Sequence, residues 1–271
     1  MDFGLKGKVA LVTGASRGIG AAIAMELARE GAGLVLCARG AGDLDDTARR
    51  LAALGPQVVA VPADLMTAAG VQSVVDTALA AFGRVDVLIN NVGGAPGPGG
   101  FQNLDDDHWQ AAWTLNVMAA VRFSRALLPG MIERRWGRII NIASTSAREP
   151  DSVVVHYNCA KAGLLALSKS LANAYSKDGV LVNCVSPGVT RTPALESSAA
   201  KRLAERGESV EGLTAEEVVQ RYYGPRRPVP IGRFGTPAEV AAIVAFLASE
   251  RASWITGAYI NVDGGWVKSI Y

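Results

Sequence analysis

Residues 9–20 read VALVTGASRGIG, and this stretch decides the fold. The apolar run Val9–Val12 predicts a buried strand, and a glycine turn then leads into a segment with helical periodicity. The glycines allow a tight turn and a close approach of the backbone to a ligand. A helix that starts directly after such a turn offers free N–H groups and partial positive charge, so the stretch predicts a phosphate-binding turn of a dinucleotide site.

The same alternation of strand and helix continues along the chain and predicts right-handed βαβ crossovers. We therefore predict an α/β fold: one doubly wound, Rossmann-type parallel sheet of about seven strands, with helices on both faces, in a single domain over residues 1–271. Strands buried on both faces are predicted at Val9–Val12, Leu34–Cys37, Val58–Val61, Val87–Ile89, Ile139–Ile142 and Leu181–Val185, and a last strand at Ala258–Val262. Helices are predicted at Ile19–Glu30, Asp43–Leu54, Ala68–Phe82, Asp105–Leu128 and Tyr157–Tyr175, and another begins with the capping pattern Thr236–Glu239.

Two stretches interrupt the alternation. Gly93–Gly100 is a Gly/Pro-rich loop, and residues 193–230 form a long polar insertion with helical patches at Ala199–Arg206 and Ala215–Tyr222. Loops of this length in a compact domain are usually functional, so the insertion is predicted to be a substrate lid. Its aromatic and basic side chains either hold an extended or anionic substrate or pack against the lid's own helices: Tyr222, Tyr223, Arg226 and Arg227.

Composition excludes several classes of protein. A net charge of +2 leaves no basic footprint for nucleic acid or an anionic membrane surface. The two histidines lack metal-ligand spacing, so no metal site is expected. Cys37, Cys159 and Cys184 form no Cys-x-x-Cys pair and suit a reducing compartment. With no apolar run long enough for a signal segment or a transmembrane helix, we expect a cytoplasmic protein.

Tyr157 and Lys161 are four residues apart, which places both side chains on one face of a helix. A phenol has a pKa near ~10 and is a poor proton donor or acceptor at neutral pH. A cation held beside it favours the phenolate and lowers that pKa. The pair therefore predicts an acid/base group, although a half-buried tyrosine next to a surface lysine would produce the same spacing.

The end of the second predicted strand indicates which dinucleotide is bound. A site for NAD usually has an acidic residue there, which holds the ribose 2′-hydroxyl. This chain has Ala38 followed by Arg39, and Arg17 lies within the glycine turn. Two guanidinium groups suit a 2′-phosphate in charge and in geometry, so NADP(H) is predicted over NAD(H).

These motifs together resemble the short-chain dehydrogenase/reductase family over nearly the whole chain, and most broadly its 3-oxoacyl-thioester reductases and ketoreductases. The matching motifs are Thr13–Gly20, Asp64-Leu65, Asn90–Gly93 with Val92 in place of the family's alanine, Asn116, Ser144 thirteen residues before Tyr157, and Pro187–Thr192. Ser146 competes with Ser144 by sequence alone, and the interval selects Ser144.

The resemblance implies four catalytic residues: Asn116, Ser144, Tyr157 and Lys161. In ketone reduction Tyr157 gives its proton to the carbonyl oxygen and Ser144 stabilises that oxygen, while Lys161 lowers the Tyr157 pKa and holds the nicotinamide ribose. Asn116 anchors a water that continues a proton relay. The implied cofactor-binding residues are Gly14, Ser16, Arg17, Gly18, Ile19, Gly20, Arg39, Asp64, Leu65, Asn91, Gly93, Tyr157, Lys161, Pro187, Gly188, Val189 and Thr192.

Three functions remain open at this point. The first is an NADPH-dependent reductase of a ketone or 3-oxoacyl thioester, with CoA or a carrier protein as the thioester partner. The second is an NADP-dependent dehydrogenase of a sugar, polyol or other secondary alcohol, and the third is a non-catalytic nucleotide sensor.

Arg134 and Arg135 are a candidate docking patch for a carrier protein, while Asp178 stands where fatty-acid members often have a basic residue. The resemblance also implies a homotetramer.

Overall fold

Seven parallel strands form one sheet in the part of the chain that the computed structural model describes, residues 2–97 and 99–270 without the side chain of Arg226. The strand order is β3-β2-β1-β4-β5-β6-β7, so the direction of winding reverses between β1 and β4. This confirms the predicted doubly wound sheet. The strands are β1 Val9–Thr13, β2 Gly33–Ala38, β3 Val58–Pro62, β4 Val87–Asn90, β5 Gly137–Ile142, β6 Val180–Pro187 and β7 Tyr259–Val262.

Helices cover both faces of the sheet. Alternate strand residues point to opposite sides, so Ala10 and Val12 pack with helices α1, α2 and α9, while Leu11 packs with α3, α5 and α6. The helices are α1 Gly18–Arg29, α2 Ala41–Ala52, α3 Ala68–Phe82, α4 Asp106–Trp113, α5 Ala119–Glu133, α6 Val155–Tyr175, α7 Pro193–Ala204, α8 Ala215–Tyr223 and α9 Pro237–Ala248. The predicted capping box at the start of α9 is present, because Thr236 and Glu239 each bond the other's backbone N–H.

One strand is less buried than predicted. Val58–Val61 was expected to be covered on both faces, but Val58, Val59 and Ala60 are only partly buried. The reason is the position of β3, which is an outer strand of the sheet and pairs with β2 alone.

The predicted helix Asp105–Leu128 is three elements rather than one. Asp105 caps α4, a π-helical turn covers Thr114–Met118, and α5 then runs to Glu133. The amide of Asn116 donates to the carbonyl of Ala112 at 2.8 Å. Side-chain bonds of this kind compete with the backbone ladder, and π turns occur often at functional sites. Apolar periodicity does not report such a turn, which is why the prediction failed here.

The segment 193–230 contains two helices and an apolar cluster of its own. Helix α7 begins at Pro193 rather than at Ala199, because Thr192 caps it and proline is favoured in the first turn. Helix α8 agrees with the prediction to within one residue. The cluster consists of Ala199, Leu203, Val218, Val219, Tyr222 and Phe234.

Among the described residues, no helix has both the length and the apolar composition that a bilayer span requires. The described residues also contain no group of three or more His, Cys, Asp or Glu side chains placed to hold a metal ion.

Candidate active site

The carboxyl ends of β1, β4, β5 and β6 meet at one edge of the sheet, and the loops that follow them surround a cavity of about 740 Å³. In a doubly wound sheet this edge, where the strand order reverses, is where ligands bind. Thirteen of the predicted residues line the cavity: Arg17, Gly18, Ile19, Gly20, Asn91, Gly93, Ser144, Tyr157, Lys161, Pro187, Gly188, Val189 and Thr192.

A second cavity of about 340 Å³ lies against the carboxyl end of β2 and shares Arg17, Asn91 and Gly93 with the first. The other predicted residues that line it are Gly14, Ser16, Arg39, Asp64 and Leu65. The structure therefore brings every predicted residue except Asn116 to one of two adjoining cavities. Asn116 is buried and lines neither cavity, but it bonds Gly94, which lines the first.

The glycine turn needs glycine for two separate reasons. Gly14 and Gly18 have φ angles of +64° and +60°, which only glycine adopts without strain. Gly20 has no room for a side chain, since a Cβ there would lie 2.2 Å from the carbonyl oxygen of Gly14. No side chain caps the start of α1, so its first N–H groups are free to meet an anion.

The side chain of Thr13 holds the turn against the loop that follows β4. Its hydroxyl oxygen accepts hydrogen bonds from the backbone N–H groups of Asn91 and Val92, both at 2.9 Å. The amide of Asn91 returns a bond to the carbonyl of Thr13 at 2.8 Å. Thr13 was part of the matched motif without a role of its own, and only the pairing of β1 with β4 reveals this one.

Asn116 fastens the same loop from below. Its amide group donates to the carbonyl oxygens of Gly94 and Ala112 at 2.8 Å each, and its Oδ1 accepts from the N–H of Gly94 at 3.1 Å. A Cβ on Gly93 would lie 2.6 Å from that Oδ1 and 2.8 Å from Nζ of Lys161. Gly93 is thus glycine because two polar side chains close on its Cα.

Helix α6 presents Tyr157 and Lys161 on one face, as predicted, and opposite them stands Ser144 at the end of β5. Lys161 is 2% exposed, and its Nζ donates to the carbonyl of Ile142 at 2.8 Å. Ser144 Oγ accepts from the N–H of Ser146 at 3.2 Å, so its hydroxyl hydrogen can be donated to an oxygen in the cavity, and the Tyr157 phenol oxygen is one such acceptor. Ser146 lines the cavity as well, but its buried hydroxyl does not bond Tyr157.

The pKa values of these groups differ from the sequence-based expectation. Burial raises the pKa of the Tyr157 phenol, and the groups that lower it are Ser144, through a hydrogen bond, and Arg227, through its charge. Lys161 lies with Nζ 5.6 Å from the centre of the Tyr157 ring, where its ammonium faces the Ile142 carbonyl. Burial lowers the pKa of Lys161 itself to about 8. The lowering of the Tyr157 pKa by Lys161 therefore stays a prediction, and in this structure burial outweighs the groups that lower that pKa.

His156 adjoins Tyr157 in the chain but does not line the cavity. Its ring is 1% exposed, and Nε2 lies 2.6 Å from the carbonyl oxygen of Pro96. The ring also packs edge-on against Trp109 at 6.3 Å between centroids. His156 thereby holds the loop 93–100, of which Pro98 lies outside the described residues.

The remaining charged residues near the cavity have mixed roles. Arg148 bonds Ser269, and Glu149 accepts from the N–H of Lys268, so both fix the C-terminal segment and neither lines the cavity. Tyr222 packs inside the 193–230 cluster, whereas Tyr223 and Arg227 face the cavity. Arg227 also pairs with Asp151, a residue that the motif comparison passed over. The side chain of Arg226 lies outside the described residues.

Comparison with known proteins identifies the family from these motifs. The model of the short chain dehydrogenases matches residues 8–203, which include the glycine turn, Asn116, Ser144, Tyr157 and Lys161. The chain belongs to the short-chain dehydrogenase family. It is therefore an oxidoreductase of the class that acts on an alcohol or a ketone with NAD(P).

Three members of the short-chain dehydrogenase family illustrate the range of its relatives. The crystal structure of L-sorbose reductase from Gluconobacter frateurii, complexed with NADPH and L-sorbose, is 40% identical, with a TM-score of 0.92 and full coverage of both chains (100% each). D-beta-hydroxybutyrate dehydrogenase of Cupriavidus necator is 35% identical over 97% of this chain and 99% of that protein. The 3-oxoacyl-(acyl-carrier-protein) reductase FabG of Salmonella typhimurium is 36% identical over 96% of this chain and 97% of that protein.

Proposed function

We propose that this protein interconverts a ketone and a secondary alcohol with NADP(H), and that Tyr157 is the acid/base group of the reaction. The observation that carries the proposal is the common cavity: Ser144, Tyr157 and Lys161 line the same space as the free N-terminus of α1. A dinucleotide whose phosphates meet that N-terminus would have its nicotinamide directed towards the three side chains.

The cavity at the end of β2 supports NADP(H) over NAD(H). Arg17 and Arg39 line it, and neither has an ion-pair partner among the residues that the structure describes. Asp43 lines it too, on the first turn of α2, but two guanidinium groups outweigh one carboxylate. The NADPH present in the 40% identical L-sorbose reductase structure supports the same choice.

The chemistry of the chain's own side chains follows from their contacts. The bound nicotinamide would supply the hydride to the carbonyl carbon. Tyr157 would give its proton to the carbonyl oxygen. The Ser144 hydroxyl, which hydrogen-bonds the Tyr157 phenol in the free protein, would turn its hydrogen to the substrate oxygen and stabilise the charge that develops there. Lys161 has two ammonium hydrogens left after its bond to Ile142, enough for the ribose and for a proton relay.

Asn116 acts in this proposal mainly by position. Both hydrogens of its amide are used by Gly94 and Ala112. A water of a proton relay at this turn would therefore donate to the main-chain carbonyl or to the one lone pair that Asn116 Oδ1 keeps after its bond to Gly94. We propose that the side chain of Asn116 keeps Gly93 and Gly94 in place, which leaves room for the cofactor above Lys161.

Two substrate classes have support. A 3-oxoacyl thioester, the first expectation from the sequence, is supported by the 36% identical carrier-protein reductase. A sugar or polyol is supported by the 40% identical L-sorbose reductase, which matches over its whole length (100%). We rank the hydroxylated ketone first, because the two arginines proposed to dock a carrier protein already have partners within the chain. Arg134 donates to the carbonyl of Val85 and pairs with the carboxylate of Asp86, and Arg135 donates to the main-chain carbonyl of Lys177.

The remaining expectations are proposals with their own support. The 193–230 segment is proposed as the lid, because Pro193, Ala194, Leu195, Ser198, Tyr223 and Arg227 line the cavity. A homotetramer in the cytoplasm is proposed from the family resemblance, and light scattering after size-exclusion chromatography would measure the subunit number.

The first experiment is a substrate panel. L-Sorbose, acetoacetyl-CoA and cyclohexanone are assayed for oxidation of NADPH and of NADH, and cofactor binding is followed by fluorescence titration. We expect reduction of at least one ketone with NADPH preferred. A preference for NADH would overturn the role of Arg17 and Arg39, and no turnover of any carbonyl would overturn the proposed function.

The second experiment tests the acid/base group directly. Tyr157→Phe keeps the ring and removes the proton that the reaction needs, so turnover should fall by about 10³-fold. The affinity for NADPH should change little, since the ring still fills its place. Retained turnover in this variant would show that another group supplies the proton, and it would overturn the role of Tyr157 as the acid/base group.

A further inference from the structure

An ion pair joins the end of the 193–230 segment to the loop that leads into α6. Arg227 Nη2 lies 2.7 Å from Asp151 Oδ2, and the two side chains are 27% and 28% exposed. Arg227 lines the cavity that contains Tyr157 and Ser144. It is close enough that its charge lowers the pKa of the Tyr157 phenol. A guanidinium group therefore faces the substrate end of the cavity.

Asp151 holds this arginine from a fixed position. Its Oδ1 accepts hydrogen bonds from the backbone N–H groups of Val153 and Val154 at 2.8 and 3.0 Å. Its main-chain carbonyl accepts from the amide of Asn158, one turn into α6, at 2.7 Å. The carboxylate is thus tied to the same helix that carries Tyr157, and it moves only if the start of that helix moves.

The guanidinium group is restrained on its flat side as well. The Trp266 ring lies beneath it, with 5.9 Å between Cζ and the ring centre, in a cation–π arrangement. The backbone N–H of Arg227 donates to the carbonyl of Tyr223 at 2.9 Å, which anchors the residue to the end of α8. Three separate parts of the chain therefore determine where this side chain lies.

The chemistry of the pair selects among ligands. A guanidinium group has five N–H donors, and the structure uses one of them for Asp151. The charge of the arginine is neutralised by a carboxylate that is itself held by two N–H groups, so an anionic substrate would gain little attraction and would be repelled by Asp151. The remaining donors suit a neutral acceptor, such as the hydroxyl oxygen of a hydroxylated ketone.

We propose that Arg227, held by Asp151 and Trp266, is a specificity-determining residue that binds a hydroxyl group of the substrate and thereby selects neutral, hydroxylated ketones over anionic or unsubstituted ones. This inference rests on the proposed ketone reduction and names its substrate class. The proposal attributes the choice of substrate to the ion pair of Arg227 with Asp151.

The test compares two six-carbon ketones that both carry the carbonyl at C2. L-Sorbose has hydroxyl groups on the other carbons and 2-hexanone has none. Arg227→Met keeps the length of the side chain and removes its donors, so we expect the KM for L-sorbose to rise about tenfold or more, the value of a lost hydrogen bond to a charged group. The KM for 2-hexanone should stay within about threefold of the wild type, a difference worth under 1 kcal/mol. Loss of the Arg227 charge beside Tyr157 should change kcat by the same factor for both ketones.

Arg221→Met is the matched control. Arg221 lies in the same segment and pairs with Glu208 on the outer side, 48% exposed and away from the cavity. The control should retain the wild-type preference between the two ketones. The NADPH dissociation constant of Arg227→Met, measured by titration, should match that of the wild type, which reports on a folded and loaded site.

Asp151→Asn should shift the substrate preference towards an anionic ketone. Asparagine keeps an acceptor for Val153 and Val154 but removes the negative charge, so Arg227 becomes an unpaired cation. We expect the kcat/KM for acetoacetate, an anionic ketone, to rise severalfold relative to that for 2-hexanone.

Three results would overturn the inference while leaving ketone reduction intact. They are no preference of the wild type for L-sorbose, an equal rise of the KM for both ketones in Arg227→Met, and an unchanged KM for L-sorbose in that variant. The absence of NADPH oxidation with every carbonyl would overturn the proposed function itself, and the inference with it.

Discussion

The region from β5 to α6 and the segment 193–230 face each other across one cavity, and they are held in different ways. Ser144 and Lys161 are anchored to main-chain groups of the sheet edge, and the Asn116 side chain is buried and makes three hydrogen bonds. The segment 193–230 packs on an apolar cluster of its own and reaches the opposite wall through the ion pair of Arg227 with Asp151. This difference separates chemistry, which needs fixed atoms, from selection, which can reside in a part of the chain that is free to vary.

The largest effect is expected on the rigid side. Lys161→Met should lower turnover by about 10³-fold, because the variant lacks the ammonium hydrogens that we propose bind the ribose and the proton relay. The same change should stabilise the free protein at neutral pH. Burial holds the Lys161 pKa near about 8 instead of 10.5, so below pH 8 the folded protein carries the full cost of a buried charge. Removal of that cost, less the lost bond to Ile142, should raise the free energy of unfolding by about 2 kcal/mol.

The sign of this effect can be checked with pH. As the pH rises from about 8 to 10.5, folded Lys161 loses its proton before the unfolded chain does, so the stability advantage of the variant should shrink. Urea unfolding at neutral pH and near the upper end of this range measures it. Lys169→Met, an exposed lysine on the same helix, is the control. A variant that is less stable than the wild type at neutral pH would contradict the assignment of a buried, costly charge.

A smaller effect is expected where the two polar side chains close on the loop. Gly93→Ala would place a methyl group 2.6 Å from Asn116 Oδ1 and 2.8 Å from Lys161 Nζ, so both must shift. A displacement of this size should lower kcat by about 10- to 100-fold. Gly94→Ala is the matched control, since the nearest atom to its Cβ would be 3.8 Å away. Equal kcat values for the two variants would show that the loop adjusts without moving the catalytic groups.

The smallest effect on the chemistry is expected on the other side of the cavity. Leu203→Ala opens a void in the 193–230 cluster, and Leu88→Ala opens one in the sheet core; both side chains are at most 1% exposed. Each change removes about 2–5 kcal/mol of packing, but the first should be felt locally. We expect Leu203→Ala to speed limited proteolysis of the segment and to leave kcat nearly unchanged, while Leu88→Ala lowers the global unfolding midpoint. If Leu203→Ala lowered the midpoint of global unfolding as much as Leu88→Ala does, the segment and the sheet would unfold together.

The fold was predicted from patterns among residues that are close together in the sequence. The run from Val9 to Gly20, the cap at Thr236 and the four-residue step from Tyr157 to Lys161 each describe neighbours in sequence, and the structure has all three. What the sequence could not supply are contacts between distant residues. Arg227 and Asp151 are 76 positions apart, and Thr13 meets Asn91 across 78. The sequence did not predict where the Lys161 ammonium points, for the same reason: Lys161 is on α6, and its partner is the carbonyl of Ile142 at the end of β5.

The π-helical turn at Thr114–Met118 also uncouples two halves of what would otherwise be one helix. An α-helix advances about 100° per residue, so the extra residue of a π turn rotates everything before it by about that angle relative to everything after it. Phe123 can therefore point into the sheet core while Trp109 packs against Phe101 and His156. Deletion of one residue from the turn would restore a continuous helix and rotate Trp109 by about 100° relative to Phe123. The contacts that Trp109 makes beside the cavity therefore depend on an insertion several residues away from them.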